Sequence, residues 1–122
     1  MTAGVRWSYV CRLADIVPNT GVAAKIGTEQ VAVFRVVDAQ SGVEQVYALG
    51  NRDPKSGAMV MARGLIGDVQ GEPVVAAPVY KQHHALRDGR CLEDPALAVP
   101  VYPVRVFEGM VLVRNLPQSE NP

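Results

Sequence analysis

An all-β fold is predicted by three features of the sequence. Short runs rich in Val, Tyr, Phe and Ile recur along it, Gly, Pro, Asn and Asp separate them, and no stretch repeats apolar residues at helical spacing. Residues 7–12 read as the first strand, followed by turn-rich residues 13–21 and a second strand around 22–26. Residues 30–38 form the strongest strand signal. Period-two alternation sets Val31, Val33 and Val37 on one face and Ala32, Phe34 and Val36 on the other. Both faces are apolar, so this strand is expected between two layers.

Ser41-Gly42 is the turn into a strand over 43–49, which makes an antiparallel hairpin. Residues 50–71 are punctuated by Gly and Pro and read as a connection. Two shorter strands follow around 74–75 and 82–86, with a turn at Arg87-Asp88-Gly89. Residues 101–107 and 110–114 flank Glu108-Gly109, a two-residue hairpin connection that needs positive φ. Pro103 cannot donate to a ladder, so the first of these strands is expected to have a free edge or a bulge. The polar end, 117–122, reads as a disordered tail, and an ordered core over about 5–115 is expected in a single domain spanning 1–122.

Composition narrows the function classes. With 122 residues, 48% hydrophobic and 20% charged, the chain can bury one ordinary core without disulfides or metal. Twelve basic residues balance twelve acidic ones, so no basic stripe for nucleic acid is expected. The apolar runs are too short to cross a bilayer and no signal-peptide pattern opens the sequence, which predicts a cytoplasmic protein with no membrane partner. Cys11 and Cys91 form no Cys-x-x-Cys pair and have no sequence-adjacent base, so both read as small, partly buried residues. His83 and His84 are neighbours on a predicted strand, point to opposite faces and cannot share a metal. No hydrolase triad, paired carboxylates or phosphate loop can be argued from spacing.

Two loops carry a resemblance. Ala48-Leu49-Gly50-Asn51-Arg52-Asp53-Pro54-Lys55-Ser56-Gly57-Ala58 resembles the first cluster loop of Rieske proteins, Ala-x-x-Asn-x-Cys-Pro-His-x-Gly-Ala. Ala77-Pro78-Val79-Tyr80, closed by Asp88-Gly89, resembles the second, Cys-Pro-x-His. The resemblance implies a Rieske-like β-sandwich with a small cluster-binding-like subdomain. Asp53 and Lys55 then stand where Cys and His would, and Ala77 and Tyr80 where the second Cys and His would. A 2Fe-2S cluster needs two thiolates and two imidazoles. Here alanine offers no donor, lysine is a cation, and Asp and Tyr are hard oxygen donors, so no cluster and no metal are expected.

Over nearly its whole length the chain is similar to the small subunit of assimilatory NAD(P)H nitrite reductase. The likeness runs through Trp7–Pro18, Gly21-Val22-Ala23-Ala24, Gln30–Arg35, Asn51–Pro54, Ala62–Asp68, Gly71–Pro78, Lys81-Gln82, Asp88–Asp94 and Val101–Val106 with Gly109. It departs at Lys55, where the family usually has a bulky apolar residue, and at His84, where it usually has an aromatic. This resemblance implies an accessory subunit with no catalytic site of its own. Its partner would be a large subunit carrying FAD, a 4Fe-4S cluster and siroheme, which reduces nitrite to ammonium with electrons from NAD(P)H. The former cluster loops are the expected contact surface, with Arg52, Arg63 and Lys81 as candidate contacts. Alternatives are a degenerate Rieske-type ferredoxin or accessory domain of another redox enzyme, such as a ring-hydroxylating oxygenase, and a free-standing β-sandwich binding module. Two bland expectations stand beside these: a solvated ion pair between Asp53 and Lys55, and a Tyr80 that fills the place of a ligand histidine with its hydroxyl on a polar partner.

Overall fold

A computed structural model describes residues 6–117. It contains ten strands: β1 (Trp7–Arg12), β2 (Thr20–Ile26), β3 (Glu29–Val37), β4 (Glu44–Gly50), β5 (Leu65–Val69), β6 (Glu72–Ala76), β7 (His83–Ala85), β8 (Val101–Tyr102), β9 (Val104–Phe107) and β10 (Met110–Arg114). Short 3₁₀ turns at Leu13–Asp15, Met61–Arg63 and Pro95–Leu97 are the helical segments among the described residues. The strands build three antiparallel sheets, ordered β1-β10-β9, β2-β3-β4-β8 and β5-β6-β7.

β3 organises the molecule. Val31 and Val33 on one face pack with Ile16, Ile26, Ala48, Val111 and Val113, joining the central sheet to the β1-β10-β9 sheet. Ala32 and Phe34 on the other face pack with Leu49, Met61, Val75, Ala77 and Leu86, joining it to the β5-β6-β7 sheet. The strand expected between two layers is therefore a shared wall between two cores, which alternation of apolar side chains makes possible.

Two expectations are corrected. Residues 101–107 are not one strand: Pro103 breaks them, so that β8 pairs with β4 while β9 pairs with β10. The proline occupies the corner where the chain changes sheets, and its carbonyl accepts the Arg114 N–H at 3.0 Å. Residues 65–69, read as connection, form β5, hairpinned to β6 through Gln70 and Gly71, both at positive φ. Glycines and an aspartate interrupt the apolar pattern there, and Leu65 is largely exposed, which hides the strand. Ile16, placed in a turn by sequence, is fully buried. The tail expected at 117–122 lies outside the described residues except for Pro117.

Asn51 fixes the exit from β4. Buried at 2% exposure, it accepts the Ala62 N–H at 2.8 Å and donates to Gln30 Oε1 at 3.2 Å, while its backbone bonds Gln30 and Met61. Asn51→Ala strands the Ala62 N–H away from water, at a cost of about 2 kcal/mol. A urea denaturation midpoint that falls accordingly, with Asn51→Asp retaining part of the stability, is the expected result.

Candidate functional site

The two loops flagged by sequence close in the same way. The N–H of Asp53 donates to Ala58 O at 2.8 Å and that of Gly57 donates back to Asp53 O at 2.7 Å. Ala77 repeats the pattern, donating to Gln82 O at 2.8 Å and accepting from Lys81 N at 3.0 Å. Both are four-residue hairpin-type connections, and the residue before the closing position is left-handed in each: Gly57 at φ +80° and Lys81 at φ +64°. Glycine tolerates that conformation, whereas a lysine there carries strain of about 1 kcal/mol.

This closure sorts the four candidate ligand positions. Asp53 and Ala77, at the loop bases, are fully buried; Lys55 and Tyr80, two and three residues further on, are exposed on the tips. The tips meet, with the Lys55 ammonium 5.2 Å from the centre of the Tyr80 ring. The expected solvated Asp53–Lys55 ion pair is not what forms. Buried Asp53 accepts the backbone N–H of Lys55 at 3.0 Å and the Ser56 hydroxyl at 2.9 Å, organising its own loop. Aspartate at the start of a tight turn caps the following N–H groups in this way. Tyr80 does not fill an interior space either: it is 54% exposed, and a cation covers its ring.

These residues do not fit a 2Fe-2S cluster. Ala77 has no donor atom, both Asp53 oxygens serve the loop, and the Lys55 cation rests on Tyr80. Among the described residues no group of three His, Cys, Asp or Glu side chains is placed to hold a metal ion.

Around the loops, Met59, Val79 and Tyr80 are about half exposed. Arg52, Arg63 and Lys81 are exposed as well, Arg63 on the 3₁₀ turn that follows the first loop. None of the three, nor Lys55, forms an ion pair with a carboxylate among the described residues. Glu72 on β6 holds Arg90 and Arg87, and these guanidiniums, Arg90 foremost, keep its carboxyl below the usual range. That network pins the turn after β7 to the sheet beneath.

The histidines diverge as alternation requires. His83 Nδ1 lies 2.6 Å from Glu93 Oε2 at the surface. His84 is fully buried, with Nδ1 3.3 Å from Gly89 O. A carbonyl only accepts, so Nδ1 carries the proton. Cys91 is buried with its thiol 3.7 Å from Glu93 Oε1. Burial, and then Asp15, push the Cys11 thiol above its ordinary pKa, so Cys11 is not set up as a nucleophile. Sequence reasoning missed the buried role of Asp53 and the left-handed Lys81; the Asp-Pro and Gly57 pattern signals the first turn, but nothing local marks Lys81.

Comparison with known proteins agrees with this geometry. The Rieske-like [2Fe-2S] domain family matches residues 6–114. The NADH nitrite reductase small subunit of Escherichia coli K12 is 44% identical over 110 residues, covering 90% of this chain and 98% of that one. A crystal structure from Mycobacterium tuberculosis, assigned as an NADH-dependent nitrite reductase small subunit, superposes with a TM-score of 0.84 at 42% identity, covering 93% of this chain and 98% of that one. The nitrite reductase [NAD(P)H] large subunit of Klebsiella oxytoca contains a segment 45% identical over 109 residues, 89% of this chain but 11% of that one. With the loop frame, the sandwich and these relatives together, the chain belongs to the Rieske-like domain family and, within it, to the small subunits of NAD(P)H nitrite reductase.

Proposed function

We propose that this chain is the non-catalytic small subunit of an NAD(P)H-dependent nitrite reductase, docking on and supporting the large subunit in nitrate assimilation. The observation that carries the reading is the 44% identity across 98% of a nitrite reductase small subunit. FAD, a 4Fe-4S cluster and siroheme belong in this reading to the large subunit, which reduces nitrite to ammonium. The small chain contributes no redox centre of its own, because the loop residues serve loop closure and a cation–π contact instead of ligation. Two free thiols fit a reducing cytoplasmic setting; no helix among the described residues is long and apolar enough to cross a membrane.

The loop end supports a docking role. Met59 on the first loop and Val79 and Tyr80 on the second are exposed apolar residues, Lys55 lies against Tyr80, and Arg52, Lys55 and Lys81 have no carboxylate partner among the described residues. A partner face with apolar pockets and acidic groups complements such a surface. The test is NAD(P)H-dependent nitrite consumption by the purified large subunit with and without this chain. A rise in rate or in the lifetime of the active enzyme, together with co-elution, is expected. Lys81→Glu and Tyr80→Ala should each weaken association roughly 10-fold or more. No association and no effect on the enzyme overturn the reading.

A further inference from the structure

The outer face of the β1-β10-β9 sheet is the other large exposed aromatic surface among the described residues. Alternation and register put Trp7 and Tyr9 of β1, Leu112 and Arg114 of β10, and Arg105 and Phe107 of β9 on this one face, while Val111 and Val113 point into the core. Trp7, Tyr9 and Phe107 are 36%, 56% and 54% exposed. The Arg105 guanidinium reaches across β10 to lie 4.5 Å from the centre of the Trp7 ring. Neither Arg105 nor Arg114 meets a carboxylate among the described residues. Half-exposed aromatic side chains between unneutralised arginines have the composition of a binding hot spot.

The placement of the domain's ends indicates what covers this face. Arg6 and Asn115 are bonded to each other, the Arg6 N–H to Asn115 Oδ1 and the Asn115 N–H to Arg6 O, each at 2.9 Å. Both ends of the domain thus leave beside the aromatic face. In one relative the matched segment is about one-tenth of a longer nitrite reductase large-subunit chain, so if that segment shares this fold, its link to the rest of the chain starts from the same edge. A tether attached there keeps the whole domain at high effective concentration against the rest of the chain, with this face beside the point of attachment.

We infer that the β1-β10-β9 face is a second docking surface for the large subunit, separate from the loop tips, and that its complement is an apolar patch carrying carboxylates. The inference rests on the small-subunit reading. It is tested by titrating the large subunit with the wild-type chain, with Tyr9→Glu/Phe107→Glu and with Tyr80→Ala, after checking each by circular dichroism and melting. These side chains point outward, so the double variant should fold, and a loss of affinity of roughly 30-fold or more is expected. Hydrogen exchange on the wild-type complex provides a readout free of folding effects: slowed exchange in β9 and β10 is expected. Unchanged affinity of the double variant with no protection of β9 and β10, while Tyr80→Ala still weakens binding, overturns the second surface and leaves the small-subunit reading standing. If the double variant instead converts a self-associated chain to monomer without changing the heterologous complex, the face belongs to a second copy and the inference falls. Absence of any wild-type complex removes both.

Discussion

Alanine at position 89 is expected to destabilise the protein by about 3–4 kcal/mol, from a left-handed non-glycine residue and from overpacking. Gly89 sits at φ +79°, and a Cβ there would lie 2.1 Å from the backbone oxygen of Val99 and 3.1 Å from Val101 Cγ2. A backbone atom cannot swing aside as the end of a side chain can. Relief would have to separate the two segments, and Gly89 O is the acceptor for both Val99 N at 3.0 Å and His84 Nδ1 at 3.3 Å. For a chain of this size the melting temperature should drop by about 10–20 °C. Gly27→Ala is the control: Gly27 has φ +62° but nothing within 4 Å of the added atom, so only the conformational cost of about 1 kcal/mol applies. Equal losses at the two positions would show that crowding against Val99 contributes nothing.

The second large effect is a gain. The variant Asp53→Cys/Lys55→His/Ala77→Cys/Tyr80→His should turn the protein brown, with about two irons and two sulfides per chain. The physical basis is the shared loop closure. It places positions 53 and 77 at the buried bases of two equivalent turns and positions 55 and 80 on tips that already touch, 5.2 Å apart from ammonium to ring centre. Sulfur at position 53 can still accept from the neighbouring N–H and hydroxyl, though more weakly than a carboxylate. The triple variant that keeps Ala77 has no second thiolate and should assemble no such cluster. Iron analysis and electron paramagnetic resonance after reduction read the result. A folded quadruple variant without iron would mean that these four positions are not the ligand frame.

Much of the architecture was readable because local chemistry determined it. β1 spans Trp7–Arg12 as the sequence predicts, the turn at Glu108-Gly109 takes positive φ at both residues, and two apolar faces marked β3 as an interior strand. The turn residues of the loops were readable too, since Pro54, Gly57, Pro78 and Gly89 follow from their backbone chemistry, whereas the anchoring role of Asn51 depends on Gln30 and Ala62, which only folding brings beside it. β5 was not readable. Its pairing with β6 compensates for a poor local pattern through five registered residue pairs, and long-range ladder bonds leave no trace in a short window.

By itself, the sequence determined the β class and the interior position of β3, because alternation and turn propensity are properties of residues and their near neighbours. Tertiary structure alone decided that Asp53 is buried and serves its own turn, that Lys55 covers Tyr80, that Pro103 passes the chain between sheets, and that Trp7, Tyr9 and Phe107 share an open face. Each of these depends on which distant segment lies alongside, and burial, cation–π contact and sheet membership arise only when those segments pack.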